Sequence, residues 1–362
     1  AARALESLTR LIPNLPKDDV KEGRNERDNE ILRTVGKPTL FAFSPQSSFD
    51  LGSALDLIDT ERAGKVSGTR FGYLKREAAL LEFALVRFAM DAATKEGFTP
   101  VIPPVLVGER AMSGMGYLER GKDEMYFLPE DKLYLVGTSE QSVGPMHMDE
   151  IFEEKDLPRR YVAFSTCFRR EAGSYGKDTR GILRVHQFDK VEMFSFTRPE
   201  DSDAEHEKIL AIEEKLVQAL RLPYRVVKMC SGDLGDQAAR KYDIETWIPS
   251  EERYRETHSA STCTDFQARR LNIRFRRKNG TVEYAHTLNG TAFAIGRILI
   301  AIMENYQQKD GSIAIPKVLH PYTGFKKISR SSPKPPAGPK KTRNETHARK
   351  NVGRAKSRKS RS

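Results

Sequence analysis

Between Arg76 and Gly97, apolar residues recur every three or four positions, at Leu80, Leu81, Ala84, Leu85, Phe88 and Ala92. That spacing lays them along one stripe of a helix, and Gly97 is the kind of residue that closes one. Helices are also predicted from Asp201 to Leu220 and from Thr291 to Gln307. Near the start, Leu5, Leu8, Leu11 and Ile12 keep helical spacing until Pro13, Asn14 and Pro16 stop it, which reads as the closing turns of a longer helix. A polar linker with Gly23, Gly36 and Pro38 follows.

Strand patterns fill much of the remainder. The run from Phe98 to Val107 contains Pro103 and Pro104, which cannot donate to a central ladder, so it is expected at a sheet edge, a kink or a subunit boundary. Further strands are predicted at Leu133 to Val136, Tyr161 to Arg169, Val185 to Thr197, Tyr224 to Lys228, Thr262 to Phe275 and Tyr284 to Leu288. Long strands joined by hairpin-like loops, with helices clustered between them, predict an α+β fold with a mainly antiparallel sheet.

Charge divides the chain. The formal net charge is +11, yet residues 329–362 hold 12 Lys and Arg against one acid, Glu345, leaving 49 bases and 49 acids in the body. Three regions are expected: 1–12, the end of a longer helix; 13–328, a folded body; and 329–362, a basic tail with too little apolar content to fold. Such a tail either grips RNA phosphates without sequence preference or is a solvated extension. Further sequence is expected upstream, because the chain opens without methionine. No signal peptide is evident and no run of about 18 apolar residues occurs, so a cytoplasmic location with no membrane partner is expected. Cys167, Cys230 and Cys263 lie far apart, with no histidine at ligand spacing, which predicts reduced core residues and no zinc site.

Candidate chemistry concentrates in two segments. From Phe164 to Phe196, Phe168, Arg169, Arg170 and Glu171 end one strand, and a loop follows with Gly173, Gly176, Gly181, Lys177, Arg180 and Arg184. On the next strand, alternation puts His186, Phe188, Lys190 and Glu192 on one face, a surface suited to stack a base and hold an ammonium group. The second segment, Asn289 to Arg297, runs into the apolar Ile298 to Met303. Burial of Arg297 there demands a fixed anionic partner, either a structural carboxylate or a substrate polyphosphate.

Together these segments resemble the class II aminoacyl-tRNA synthetases, and the likeness narrows to the bacterial-type seryl-tRNA synthetases. Gly97 to Pro104 after its helix is similar to the family's first motif, at the homodimer interface. Phe168-Arg169-Arg170-Glu171 through His186-Gln187-Phe188 and Glu192 resembles the second, and Asn289 to Arg297 the third. Seryl-specific features are Gly137-Thr138-Ser139-Glu140, Asp265 to Arg270, and Glu304-Asn305-Tyr306-Gln307. Glu256-Thr257-His258-Ser259 departs from the commonest pattern at Thr257 and His258, as does Ala292 in the third motif.

The resemblance implies that serine is activated with ATP to seryl-adenylate and pyrophosphate, then transferred to the 3′ end of tRNA(Ser), with tRNA(Sec) as a possible second acceptor. It assigns Arg169 to the α-phosphate and the attacking carboxylate, Arg297 to the γ-phosphate and Phe188 to adenine. Arg170, Glu171, Thr257 and His258 complete the ATP site, and Glu256 and Ser259 hold Mg²⁺. L-serine falls to Thr138, Ser139, Glu140, Glu192 and Thr291. A helical arm precedes the body in this family, so a chain keeping only residues 1–12 of it is expected to form adenylate but to charge tRNA poorly. Two rival expectations are a paralogue that passes the activated amino acid to a carrier and a degenerate, non-catalytic synthetase-like dimer; the second need not retain Arg169, Glu256 and Arg297.

Overall fold

The computed structural model describes residues 8, 9, 11–119, 121–172 and 180–330. Most of the expected arm end, the loop from Gly173 onward and nearly all of the basic tail lie outside them. The body extends to Ser329.

Its centre is an eight-stranded sheet. In chain order the strands are β1 (Glu30–Val35), β2 (Thr99–Val101), β3 (Arg159–Phe168), β4 (Gln187–Thr197), β5 (Tyr224–Lys228), β6 (Arg240–Ile248), β7 (Arg253–Thr262) and β8 (His286–Ala294). They lie side by side as β1-β5-β6-β7-β8-β4-β3-β2. Every pairing is antiparallel except that of β2 with β3. The proline-bearing run is indeed cut short: only Thr99–Val101 joins this sheet, at its edge, and Leu106–Gly108 pairs elsewhere.

Helices α1 (Glu77–Lys95), α2 (Ser202–Ala219) and α4 (Ile295–Asn305) cover one face of the sheet. Helix α1 buries Leu81, Leu85 and Phe88 on its expected stripe, and Gly97 follows it at φ +93°. Asp203 and Glu205 in the first turn of α2 complement the positive end of its dipole. Alternation along β4 sends Val191 and Met193 into this helical core while Lys190 and Glu192 face the other way.

Three expectations fail, the first being the strand from Tyr284 to Leu288, which is split between Val282–Tyr284 in a separate small sheet and the start of β8 at His286. The strand predicted at Thr262 to Phe275 is instead the end of β7, a short helix α3 (Phe266–Leu271) and a separate strand, Arg274–Arg276. Phe266, Ala268 and Leu271 are buried together, and Asn272 ends the helix with φ +57°. The predicted helix from Thr291 also starts late: Thr291 to Ala294 still belong to β8, because their backbone pairs with β4.

Candidate active site

The sheet face away from the helices carries a cavity of about 260 Å³, and two strand irregularities decide what lines it. Between β6 and β7 the register slips, with Ile244 opposite His258 but Glu245 opposite Glu256. Thr257 is thus the extra residue of a bulge, which brings Glu256 and Ser259, three positions apart, to the same face. A second slip, between β4 and β8, leaves out Ala292 and lets Asn289, Thr291 and Ala294 all line the cavity.

At one end stand the cations. Arg169, just past β3, donates from Nε to the Gly137 carbonyl at 3.1 Å, and its guanidinium carbon lies 5.2 Å from the Phe188 ring centroid. Among the described residues Arg169 has no carboxylate partner. Arg297, in the first turn of α4, donates from Nη1 to the Glu256 carbonyl at 3.0 Å and lies 3.1 Å from Glu256 Oε2. Desolvation in the recess raises the Glu256 carboxyl, but Arg297 and then Lys241 outweigh it and hold the group below the usual carboxylate range. Lys241 in turn pairs with Asp243 at 3.3 Å. Glu171, Thr257 and Ser259 line the same cavity.

At the other end are two buried carboxylates. Tyr117 donates its hydroxyl to Glu140 Oε1. Thr291 donates to Glu192 Oε2 at 3.3 Å, and Lys190 Nζ lies 2.5 Å from the same oxygen. Burial raises the Glu192 carboxyl to about 7, with Lys190 pulling against it and Glu140 pushing further up. Thr138 lines this end with a buried hydroxyl that has no hydrogen-bond partner among the described residues, which a polar ligand would satisfy. The cavity therefore offers two guanidiniums and an ionised carboxylate to an anion with a metal, and two carboxylates with hydroxyls to a small polar cation.

Comparison with known proteins places this geometry. Residues 127–306 match the tRNA synthetase class II core domain (G, H, P, S and T). The serine–tRNA ligase of Acidothermus cellulolyticus is 54% identical over 313 residues, spanning 86% of this chain and 74% of that protein. The chain belongs to the seryl-tRNA synthetase family. The solved seryl-tRNA synthetase of Pyrococcus horikoshii, a complex with ATP, superposes on this synthetase with a TM-score of 0.89 and 45% identity, covering 91% of this chain and 79% of that one. The cytoplasmic serine–tRNA ligase of Naegleria fowleri, solved with AMP, gives 0.87 and 35% identity over 91% and 80%.

Of the residues the resemblance assigns to ATP, serine and metal, Thr138, Glu140, Arg169, Glu171, Phe188, Glu192, Glu256, Thr257, Ser259, Thr291 and Arg297 line the synthetase's cavity, and three do not. Ser139 is fully buried behind Thr138, and Arg170 is exposed, with its guanidinium carbon 5.9 Å from the Tyr126 ring centroid. His258 points into the core: it is 1% exposed, sits 5.7 Å from the Phe293 ring, and burial lowers its pKa to about 3, so it stays neutral. Strand alternation past the bulge turns His258 away while keeping Ser259 in. Arg297 is also less enclosed than its apolar neighbours suggest, since it sits at the start of α4 with 24% of its side chain exposed. His186 leaves the shared face as well, packing against Phe71 and Tyr126. Nothing in the sequence singles out Tyr117, Gln237 or Lys241, and Cys263 is expected only as a core residue, yet all four reach the cavity from loops and strand ends.

Proposed function

We propose that this chain is a serine–tRNA ligase that activates L-serine with ATP and passes the seryl group to tRNA(Ser). One observation carries this: Arg169 and Arg297 open into the same cavity as the buried pair Glu140 and Glu192, so a triphosphate and an ammonium group fit side by side. In the first step a serine carboxylate oxygen attacks the α-phosphorus, a P–O bond to the α-phosphorus forms, the bond to the bridging oxygen breaks, and pyrophosphate leaves with that oxygen. Arg169 is available for the α-phosphate and the incoming carboxylate because no carboxylate among the described residues pairs with it. Phe188 stacks adenine beside it, and Arg297 meets the outer phosphates.

The ionised Glu256 and the Ser259 hydroxyl, aligned by the bulge, are hard oxygen donors that would hold Mg²⁺. Bound there, the ion supplies charge neutralisation across the phosphates. Glu140 and Glu192 hold the substrate ammonium, and Thr138 and Thr291 present hydroxyls to the side-chain oxygen. A buried polar site of this kind rejects alanine, which would leave those groups unsatisfied. Exposed Leu80, Phe83 and Ile102 on α1 and beyond the edge strand β2 suit the family's homodimer contact. The carrier-transfer rival has no separate observation in its favour.

ATP–pyrophosphate exchange, run with each of the twenty amino acids, tests the proposal. Serine alone should support exchange, and Arg169→Ala should reduce it by on the order of 10²- to 10³-fold. Silence with all twenty would overturn it.

A further inference from the structure

The segment Pro13 to Pro16 is fastened to the wall of the cavity, although none of its residues lines it. Prolines on either side of Asn14 and Leu15 restrict the local backbone, and the Leu15 amide donates to Asn14 Oδ1 at 3.0 Å, so the Asn14 side chain is held before it meets the body. Backbone bonds from the Asn14 amide to the Asp236 carbonyl (2.7 Å) and from Lys17 to Ala239 (2.9 Å) lay the segment along residues 236–239. The Asn14 side-chain amide then donates to the Gln237 carbonyl at 2.9 Å and the Cys263 carbonyl at 2.8 Å, and lies 3.1 Å from Thr264 Oγ1.

Both carbonyls belong to cavity-lining residues at the carboxylate end. Gln237 donates its side chain to the Gly116 carbonyl at 2.6 Å, and the next residue, Tyr117, holds Glu140. Cys263 is 1% exposed and lies 3.9 Å from Asn289 Nδ2. The adjoining Thr264 sits at φ +47°, a conformation a β-branched residue adopts only when its surroundings impose it. Asn14 contributes to that constraint beside the backbone bonds of Cys263 and Thr264 with Thr287, and its side-chain amide bridges this segment to Gln237. None of these contacts involves Arg297 or Glu256.

We propose that Asn14 is a positioning residue for the serine subsite, locking the Gln237 and Cys263–Thr264 segments in register so that Tyr117 and Glu140 face the substrate amine. The assignment of that subsite to serine rests on the function proposed above. An amide is required: aspartate keeps the size but loses the donor and faces two carbonyl oxygens.

The test uses the full chain in ATP–pyrophosphate exchange, with serine varied at saturating ATP and ATP varied at saturating serine. Asn14→Asp should raise KM for serine by about tenfold, leaving KM for ATP within about twofold and kcat little changed. Leu15→Ala, at a neighbour 79% exposed, should match the parent. A parallel rise in both KM values, or no change in either, would overturn the proposal. Cysteine alkylation read by peptide mass gives a second measure independent of catalysis. Cys263 should label faster in the variant while Cys167, which is fully buried, stays protected; equal protection of Cys263 in parent and variant counts against the role. If Asn14→Asp also exposes Cys167 it has unfolded, and the milder Asn14→Ser replaces it in both measurements with the same expected and opposing results. Parent protein silent in exchange refutes the serine assignment alone, since the labelling still reports on Asn14.

Discussion

Glu192 and Glu213 are both buried carboxylates, and their different company gives them different consequences. Glu192 sits against Lys190 and Thr291, and its raised pKa means that acid neutralises the group expected to hold the substrate ammonium. KM for serine should therefore rise as pH falls through about 7, with KM for ATP moving less, as initial-rate exchange across pH 6 to about 8.5 would report. Glu213, on α2, is fully buried, and neither of its oxygens has a hydrogen-bond partner among the described residues. Burial first, then the nearby Glu192 and Asp243, push its carboxyl well above the usual range. The folded state thus keeps a proton that the unfolded chain releases above about pH 4.3, and stability falls as pH rises from there. Glu213→Gln removes that slope, so its melting temperature should gain on the parent between pH 5 and about 8, with a flat difference counting against a protonated acid.

At the scale of elements, α2 reaches the back of the cavity floor at one glycine. A Cβ added at Gly290 would stand 2.2 Å from Ile209 Cγ2 and 2.8 Å from Glu213 Oε1, so helix and strand close to this distance only without a side chain. Gly290→Ala should destabilise by about 1–3 kcal/mol through overpacking, visible in denaturant unfolding. It should also weaken serine binding, because Thr291 and Asn289 flank it on β8. The elements most legible in the sequence are those whose periodicity matches their burial: α1 buries Leu81, Ala84, Leu85 and Phe88 of its predicted stripe although Leu80 is exposed, α2 lies within its predicted range, and Tyr224–Lys228 is found at its predicted bounds. Strands β6 and β7 escape notice because charged residues such as Arg240, Lys241, Glu245 and Arg255 interrupt their apolar pattern, and those residues find ion-pair partners once the sheet forms. The bulge at Thr257 is equally silent in sequence, and His258, which the resemblance assigns to the ATP site, is a core residue in the fold.

Across the whole molecule, electrostatics and architecture are separable. Residues 13–329 supply every cavity residue, while the excess positive charge lies in residues 329–362, almost all outside the described structure. Deleting residues 331–362 should leave serine-dependent exchange within about twofold of the parent, yet flatten the dependence of RNA retention on salt in a filter-binding titration. Charging of tRNA(Ser) is a separate measurement, because the chain spans 74% of the length of the Acidothermus ligase and 79% of the Pyrococcus one.

The bond between Asn14 and Cys263 spans 249 positions of sequence. On a ribosome, where synthesis proceeds from the N-terminus, the asparagine emerges first and must wait for its acceptor until the strand ending at Thr262 has left the exit tunnel. Until then the nascent chain can form α1 and α2 but cannot complete the carboxylate end of its cavity. Competence for serine should consequently arise as one of the last acts of maturation, and a stall before residue 263, which also withholds β8 and Thr291, should yield a chain without affinity for the amino acid.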